Sequence, residues 1–430
     1  MSGTLAVWRG HDAATRARYL APVPLPPPDT DPARWRLLAL LAVAELLGMA
    51  LWFAGSASAP QLAERWALSD TDVAWLTNAV QLGFVVGTAL SALLNLADLI
   101  PARRLFAVSA LAGAFANLPL AFTDSYAVAL MSRFLAGACL AGVYPPAMKM
   151  AATWFRARRG VAVGIIVGAL TVGKAVPYLA QAIPGAEVSH IAIGASVCAL
   201  LAAMVVFAGY RDGPYAFPSR PFSWSLVGDV LRVRRYRLAL GGYLGHMAEL
   251  YSFWTWIAAF FAASELQRVM QPGAVAAPSW IVGVVSFGVI AVGGIGCIWG
   301  GLVADRIGRE RLVMRAMAVS GVCAVAIGFG FGRSWWLLAP VALVWGFFVI
   351  ADSAQFSVLV TESVPADAVG TALTLQVSLG FLLTTLTIQL VPMIARGLGW
   401  QWAFALLAIG PVLGIASVRR LRATSASTPR

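Results

Sequence analysis

The feature that most constrains this chain is its succession of twelve long apolar runs separated by short charged connections. The runs cover Arg36–Ala57, Val73–Asn95, Leu105–Phe122, Ser125–Met150, Gly160–Ile183, Ile191–Tyr210, Leu238–Ala262, Trp280–Val303, Leu312–Phe331, Trp335–Val360, Ala368–Ala395 and Trp402–Val418. About 20 apolar residues are needed for a helix to cross the hydrocarbon core of a bilayer. Only 12% of the residues are charged and 60% are hydrophobic, whereas a soluble domain carries roughly 25% charged residues. Lipid is therefore the solvent for most of the chain. Backbone groups in lipid must be satisfied internally, and the runs do not alternate as barrel strands do. The expected fold is an all-α membrane protein of twelve transmembrane helices.

The net charge of +12 would raise nucleic acid as a partner in a soluble protein. Here the charge is parcelled into loops, and the bias of Lys and Arg toward the cytoplasmic side explains it. Connections of one parity carry Arg65, Arg268, Arg333 and Arg396; Arg133, Lys149 and Lys174 lie within spans, and the rest of the 31 Lys and Arg residues fall on the other side. That arrangement places both termini in the cytoplasm of a multi-pass inner-membrane protein. Residues 1–34 read as a Pro-rich cytoplasmic tail and not as a signal peptide, because no apolar core precedes Pro22–Pro28. Residues 35–210 and 238–418 read as two six-helix bundles, 211–237 as a basic central loop and 419–430 as a basic tail. Cys139, Cys198, Cys297 and Cys323 each lie in an apolar run without metal-ligand spacing and read as packing residues.

Between two of these runs lies Gly301-Leu-Val-Ala-Asp305-Arg306-Ile-Gly308-Arg309-Glu-Arg311. It resembles the signature loop between the second and third helices of each half in the major facilitator superfamily. The first half carries a weaker copy, with Asp98, Arg103 and Arg104 kept but Leu94, Leu99 and Pro101 departing from the pattern. The halves echo one another elsewhere: Ala44-Glu45-Leu46 corresponds to Ala248-Glu249-Leu250, and Trp52 and Trp256 each follow seven residues after the glutamate. The resemblance implies two pseudo-symmetric bundles with a solute site near mid-membrane between them. It also implies that Asp305 braces the start of the fifth helix near Arg159 and Gly160, and Asp98 the start of the eleventh near Gly370.

A charge at mid-membrane costs at least ~2.5 kcal/mol, so such residues need a partner, water or a task. Glu45 and Glu249 lie about mid-depth in the first and seventh helices and are candidates for proton coupling or for binding a substrate cation; structural carboxyl groups are the alternative. His246 shares a helix face with Glu249 and is a relay candidate. Arg133 and Gly137 resemble the arginine motif of the superfamily's fourth helix. Arg133 can hold substrate or pair with a cavity glutamate, or snorkel at the interface. Lys174, in a stripe of Gly160, Gly164, Gly168 and Gly173, is expected to face the cavity and pair with Glu45 or an anionic solute. Asn78, Gln81, Asp352, Gln355 and Gln376 are candidates for the polar pathway, and Trp52, Tyr251 and Trp256 for an aromatic wall.

The run from Tyr144 to Gly160 is similar to the fourth-to-fifth helix junction of organic-anion and cation symporters of the superfamily. The expected function is secondary active transport of a small organic solute, an anionic metabolite, by alternating access coupled to protons. An efflux antiporter or an uncoupled facilitator of the same fold is the alternative. No phosphate-binding loop, H-x-x-x-H pair or other catalytic signature is present, so the chain reads as a transporter, not an enzyme. The expected partners are the solute, the proton and the lipid bilayer, with no cofactor, no metal and no nucleic acid, and the chain acting as a monomer.

Overall fold

The computed structural model describes residues 31–155, 159–215 and 222–426; the expected N-terminal tail falls almost wholly outside them. The first half contains α1 (Ala33–Met49), α2 (Ala54–Trp66), α3 (Asp70–Leu93), α4 (Leu96–Leu99), α5 (Ala102–Asn117), α6 (Tyr126–Leu140), α7 (Tyr144–Ala152), α8 (Arg159–Gln181) and α9 (Val188–Gly209). A short connecting helix, α10 (Trp224–Arg232), leads into α11 (Arg234–Val269), α12 (Ile281–Ile307), α13 (Arg309–Ala326), α14 (Trp335–Ala351), α15 (Ser353–Thr361), α16 (Val369–Leu398) and α17 (Ile409–Ala426). Among the described residues, eleven helical stretches are long and apolar enough to cross a membrane. The seventh expected span, α11, is not one of them. Its His246, Glu249, Ser252 and Thr255 are buried, so its polar groups face protein and its low hydropathy carries no penalty.

Three of the expected continuous spans are broken. The fourth divides at 141–143 because Pro145 and Pro146, at the start of α7, lack the amide hydrogens that would continue α6. The tenth divides at Asp352, between α14 and α15. The first divides at 50–53, where no proline stands. There the freed carbonyls of Leu51 and Trp52 accept from the Arg133 guanidinium at 2.5 and 2.8 Å. A helix end needs partners for its last carbonyls, and Arg133 supplies them.

Local signals fix the other ends. Ser69 and Asp72 form a reciprocal capping box at α3: the Asp72 amide donates to Ser69 Oγ and the Ser69 amide to Asp72 Oδ2. Gly308, at φ 89°, turns the chain between α12 and α13 in a conformation that side chains resist. The alternation of passes collects the connections after α3, α7, α9, α12 and α15 on one face with most of the arginines; this is the basic face.

Two seams join the halves: α8 runs along α12, and α3 along α16. The first is made of glycine. A Cβ at Gly168 would lie 2.8 Å from the Gly294 carbonyl oxygen, and one at Gly301 3.6 Å from that of Gly160. Small residues let helix backbones approach where hydrophobic driving force between helices is weak. The second seam is polar and aromatic. Asn78 Nδ2 donates to the Thr385 carbonyl at 3.1 Å, Gln389 Nε2 to the Thr71 carbonyl at 3.3 Å, and Thr384 Oγ1 to Gln81 Oε1. Phe84 meets Phe381 with ring centroids 4.9 Å apart. These links lie toward the end away from the basic face. Outward positions such as Phe115, Ile295 and Leu386 are about two-thirds exposed, as a lipid-facing surface requires.

Candidate functional site

Between the halves lies a cavity of 110 Å³ lined from both bundles, including Met49, Trp52 and Lys174 from the first and Tyr243, Tyr251 and Trp254 from the second. Lys174 stands at its head. Close packing of Gly173 against the Leu46 backbone draws α8 onto α1, which sets the next side chain beside the break in the first span. The ammonium is 1% exposed. It lies 3.8 Å from the Trp52 ring centroid, 4.7 Å from that of Tyr251 and 5.7 Å from that of Trp254, and donates to the Tyr251 hydroxyl at 2.5 Å. Cation–π contact of this kind is worth up to about 2 kcal/mol when desolvated, less than the cost of burying a charge. Trp52 Nε1 and Trp254 Nε1 are buried donors with no hydrogen-bond partner among the described residues. The head of the cavity thus carries a cation enclosed by aromatic rings.

The expected ion pair between Lys174 and Glu45 is not formed. Glu45 is fully buried and neither carboxyl oxygen has a hydrogen-bond partner among the described residues, yet it sits within electrostatic reach of Lys174. The phenol and the indoles occupy the space around the ammonium where a direct pair would form.

Arg133 is fully buried, which excludes snorkelling, and it meets no glutamate among the described residues. Besides the Leu51 and Trp52 carbonyls it donates to Asn117 Oδ1 at 2.5 Å, and Asn117 Nδ2 in turn donates to the Ala192 carbonyl at 2.9 Å. Gly55 makes room, since a Cβ there would stand 3.1 Å from Arg133 Nε. Arg133 therefore positions Trp52, and so the head of the cavity, without lining it.

The second half distributes its charges differently from the expected His246–Glu249 relay. His246 Nδ1 lies 3.0 Å from Asp352 Oδ1 with both residues buried. Glu249 instead accepts from Trp345 Nε1 at 2.8 Å and Ser320 Oγ at 2.9 Å, inside the bundle and off the cavity. The expected wall residue Trp256 donates to the Ile388 carbonyl at 2.9 Å and packs within the second half. Asn78 and Gln81 join the seam and do not line the cavity. Gln355 is buried next to the break at Asp352, and Gln376 is buried with neither amide atom paired among the described residues. Asn117, Ser320, Trp345, Phe84 and Phe381 were missed by sequence reasoning. A lone Asn in the third apolar run is the one signal that could have flagged a partner for Arg133.

At the basic face, Arg309 Nη1 pairs with Glu362 Oε1 at 3.0 Å and Arg103 Nη1 donates to the Tyr210 carbonyl at 3.3 Å. Asp305, Arg104, Arg306 and Arg311 are exposed there. The side chains of Asp98 and Arg159, named for the two braces, lie outside the described residues.

Apolar spans, two bundles meeting at close seams and a charged pocket between them define a multi-pass membrane transporter. The sequence profile of the Major Facilitator Superfamily matches residues 40–388, and the chain belongs to that family. It is similar to a shikimate transporter of Escherichia coli (strain K12), 28% identical over 206 residues, 45% of this chain and 47% of the relative. The match thus spans about half the length of that curated relative. Its fold is similar to the crystal structure of a mutant of the nucleoside transporter NupG. That likeness has a TM-score of 0.69 at 16% identity and covers 90% of this chain and 99% of the other.

Proposed function

We propose that this transporter moves a small organic anion across the cytoplasmic membrane together with a proton, with Lys174 as the anion-binding residue and Glu45 as the proton carrier. The observation that carries this reading is a buried cation with no acidic partner among the described residues, at the head of a cavity shared by both halves. A carboxylate gives Lys174 the ion pair it lacks. Shikimate, the cargo named for one relative, is itself a carboxylate.

Coupling follows from charge. Glu45 has no hydrogen-bond donor among the described residues, so the charge of Lys174 is what compensates its anion. When a substrate carboxylate neutralises Lys174, that compensation is lost and Glu45 takes up a proton. Linkage makes the effect reciprocal: protonation of Glu45 tightens anion binding by the same factor. Asp305 and Asp98 brace the basic-face gate, on the side we assign to the cytoplasm, and the bundles rock about the two seams. Residues 35–210 and 238–418 act as the two rigid bodies.

The test is a thermal-shift panel of organic carboxylates and their neutral amides on purified protein at two pH values. Carboxylates should stabilise the wild type more at the lower pH and fail to stabilise Lys174→Met. Glu45→Gln should retain binding without the pH dependence. Equal stabilisation of Lys174→Met refutes the anion site; persistent pH dependence in Glu45→Gln refutes the carrier.

A further inference from the structure

We infer that the solute carries a hydroxylated body besides its one carboxylate, and that Tyr144 and Tyr243 are the specificity-determining residues that read its hydroxyls. The inference rests on the anion-binding role proposed for Lys174 and goes further, to the rest of the molecule that Lys174 holds.

The charge count limits the solute to one anionic group. Among the described residues that line the cavity, Lys174 is the one cation. A second carboxylate would be buried without a counterion, which is strongly unfavourable.

Most of the other polar groups in the lining are hydroxyls. Tyr251 accepts from the Lys174 ammonium at 2.5 Å, and a phenol that accepts keeps its own O–H to donate. Tyr144 from the first half, Tyr243 from the second and Ser353 at the start of α15 line the same cavity. Their hydroxyls have no hydrogen-bond partner among the described residues, and they are not sealed from the cavity as the indole N–H groups of Trp52 and Trp254 are. Tyr144 and Tyr243 lie within electrostatic reach of each other and of Tyr251, so these phenols form one cluster beside the anion head. Tyr243 stands eight residues before Tyr251 on α11, about 12 Å nearer the basic face along the axis. An aromatic side chain on a helix leans toward the N-terminus, so Tyr251 reaches toward Tyr243.

Each phenol both donates and accepts. A ketone or ether offers acceptors alone and leaves the phenol oxygens without a donor. A solute hydroxyl does both, accepting from one tyrosine and donating to another. The apolar Leu170, Leu250 and Ile350 of the lining take the carbon skeleton. Ser357, one turn beyond Ser353 in the same lining, is exposed, so the cavity opens at that end and its 110 Å³ does not cap the length of the solute.

The experiment is calorimetric titration of the full chain in detergent with two matched pairs of acids, glycerate with propanoate and shikimate with cyclohex-1-ene-1-carboxylate. Each pair shares its skeleton and carboxylate and differs only in hydroxyls. A net hydrogen bond in a protein changes an affinity about fivefold, so with both tyrosines engaged the hydroxylated acid should bind at least about tenfold more tightly than its partner in at least one pair. The amide of the tighter-binding acid keeps the hydroxyls and loses the charge, and should bind at least about tenfold more weakly than that acid. Tyr144→Phe and Tyr243→Phe each remove one oxygen, and each should narrow the ratio within that pair about fivefold; a ratio does not depend on how much of the protein is folded. Equal affinities within both pairs, with the amide still weak, overturn the hydroxylated body and leave the anion site standing. An amide that binds as tightly as its acid overturns the anion site and with it this inference, and so does failure of every probe. A ratio unmoved in both tyrosine variants overturns the role given to Tyr144 and Tyr243.

Discussion

The polar seam between α3 and α16 offers a prediction whose size can be worked from its contacts. Three side-chain hydrogen bonds cross it, from Asn78 to Thr385, from Gln389 to Thr71 and from Thr384 to Gln81. Hydrogen bonds between helices in membranes average about 0.6 kcal/mol. Replacing Asn78, Gln81 and Gln389 by Leu therefore removes about 1.8 kcal/mol of seam stabilisation by that average. That is roughly a 20-fold shift in the ratio of closed to open seam, at a factor of ten per 1.4 kcal/mol. The leucines restore apolar packing, so the bundles themselves should fold. Spin labels at Asp124 and Arg396, exposed on opposite halves at this end of the molecule, read the seam as a distance. The wild type should give a dominant short distance and the triple variant a longer one whose share has grown by about that factor. An unchanged distance distribution would show that the three bonds do not hold the seam, and that the Phe84–Phe381 contact or the glycine seam does.

Other consequences can be checked singly. Gly168→Val forces a side chain against the Gly294 carbonyl; overpacking of this kind costs about 1–3 kcal/mol, so transport should fall at least several-fold while membrane insertion persists, as measured by uptake against protein level. Arg133→Lys keeps the charge but loses the planar fork that reaches Leu51, Trp52 and Asn117, and should weaken anion binding by displacing Trp52; tryptophan fluorescence would report it, and an unmoved spectrum would contradict it. At the end of α11, hydrogen bonds from Arg268 hold the Glu265 carboxyl well below its ordinary range, at about 2. A carboxylate with a depressed folded value stabilises above its unfolded value of 4.5 and loses that contribution as pH falls toward 2. The melting temperature of Glu265→Gln should therefore lie below that of the wild type at pH 6, and the gap should close on acidification below about 4.

The twelve passes were legible because lipid leaves a spanning backbone almost no choice but a helix, and the apolar runs record that demand. The breaks were legible only where chemistry marks them. Pro145-Pro146 could have marked the fourth, whereas the first is broken where Arg133, some 80 residues away, takes up the carbonyls. No local residue pattern announces a side chain that caps another helix. At the site, Lys174 stood out because a lysine among glycines cannot face acyl chains at tolerable cost. Its surroundings stood out in part: Trp52 and Tyr251 were candidates for an aromatic wall, but that they close on Lys174 together with Trp254, while Trp256 packs elsewhere, is a three-dimensional fact. Charge complementarity led the sequence reading to Glu45, and the structure puts a phenol and indoles in that place. His246 and Glu249 share a helix face yet meet different neighbours, Asp352 and the Trp345–Ser320 pair, because helix packing and not helical spacing chooses the partner.

The most direct test is to locate the anion itself. A structure of the protein with 4-bromobenzoate, read from the anomalous signal of the bromine, should place the carboxylate within hydrogen-bonding distance of Lys174 Nζ, about 3 Å, with the bromine among Leu170, Ile350 and Val377. A carboxylate bound to a basic-face arginine, with the enclosure of Trp52, Tyr251 and Trp254 closed on Lys174, would contradict the account.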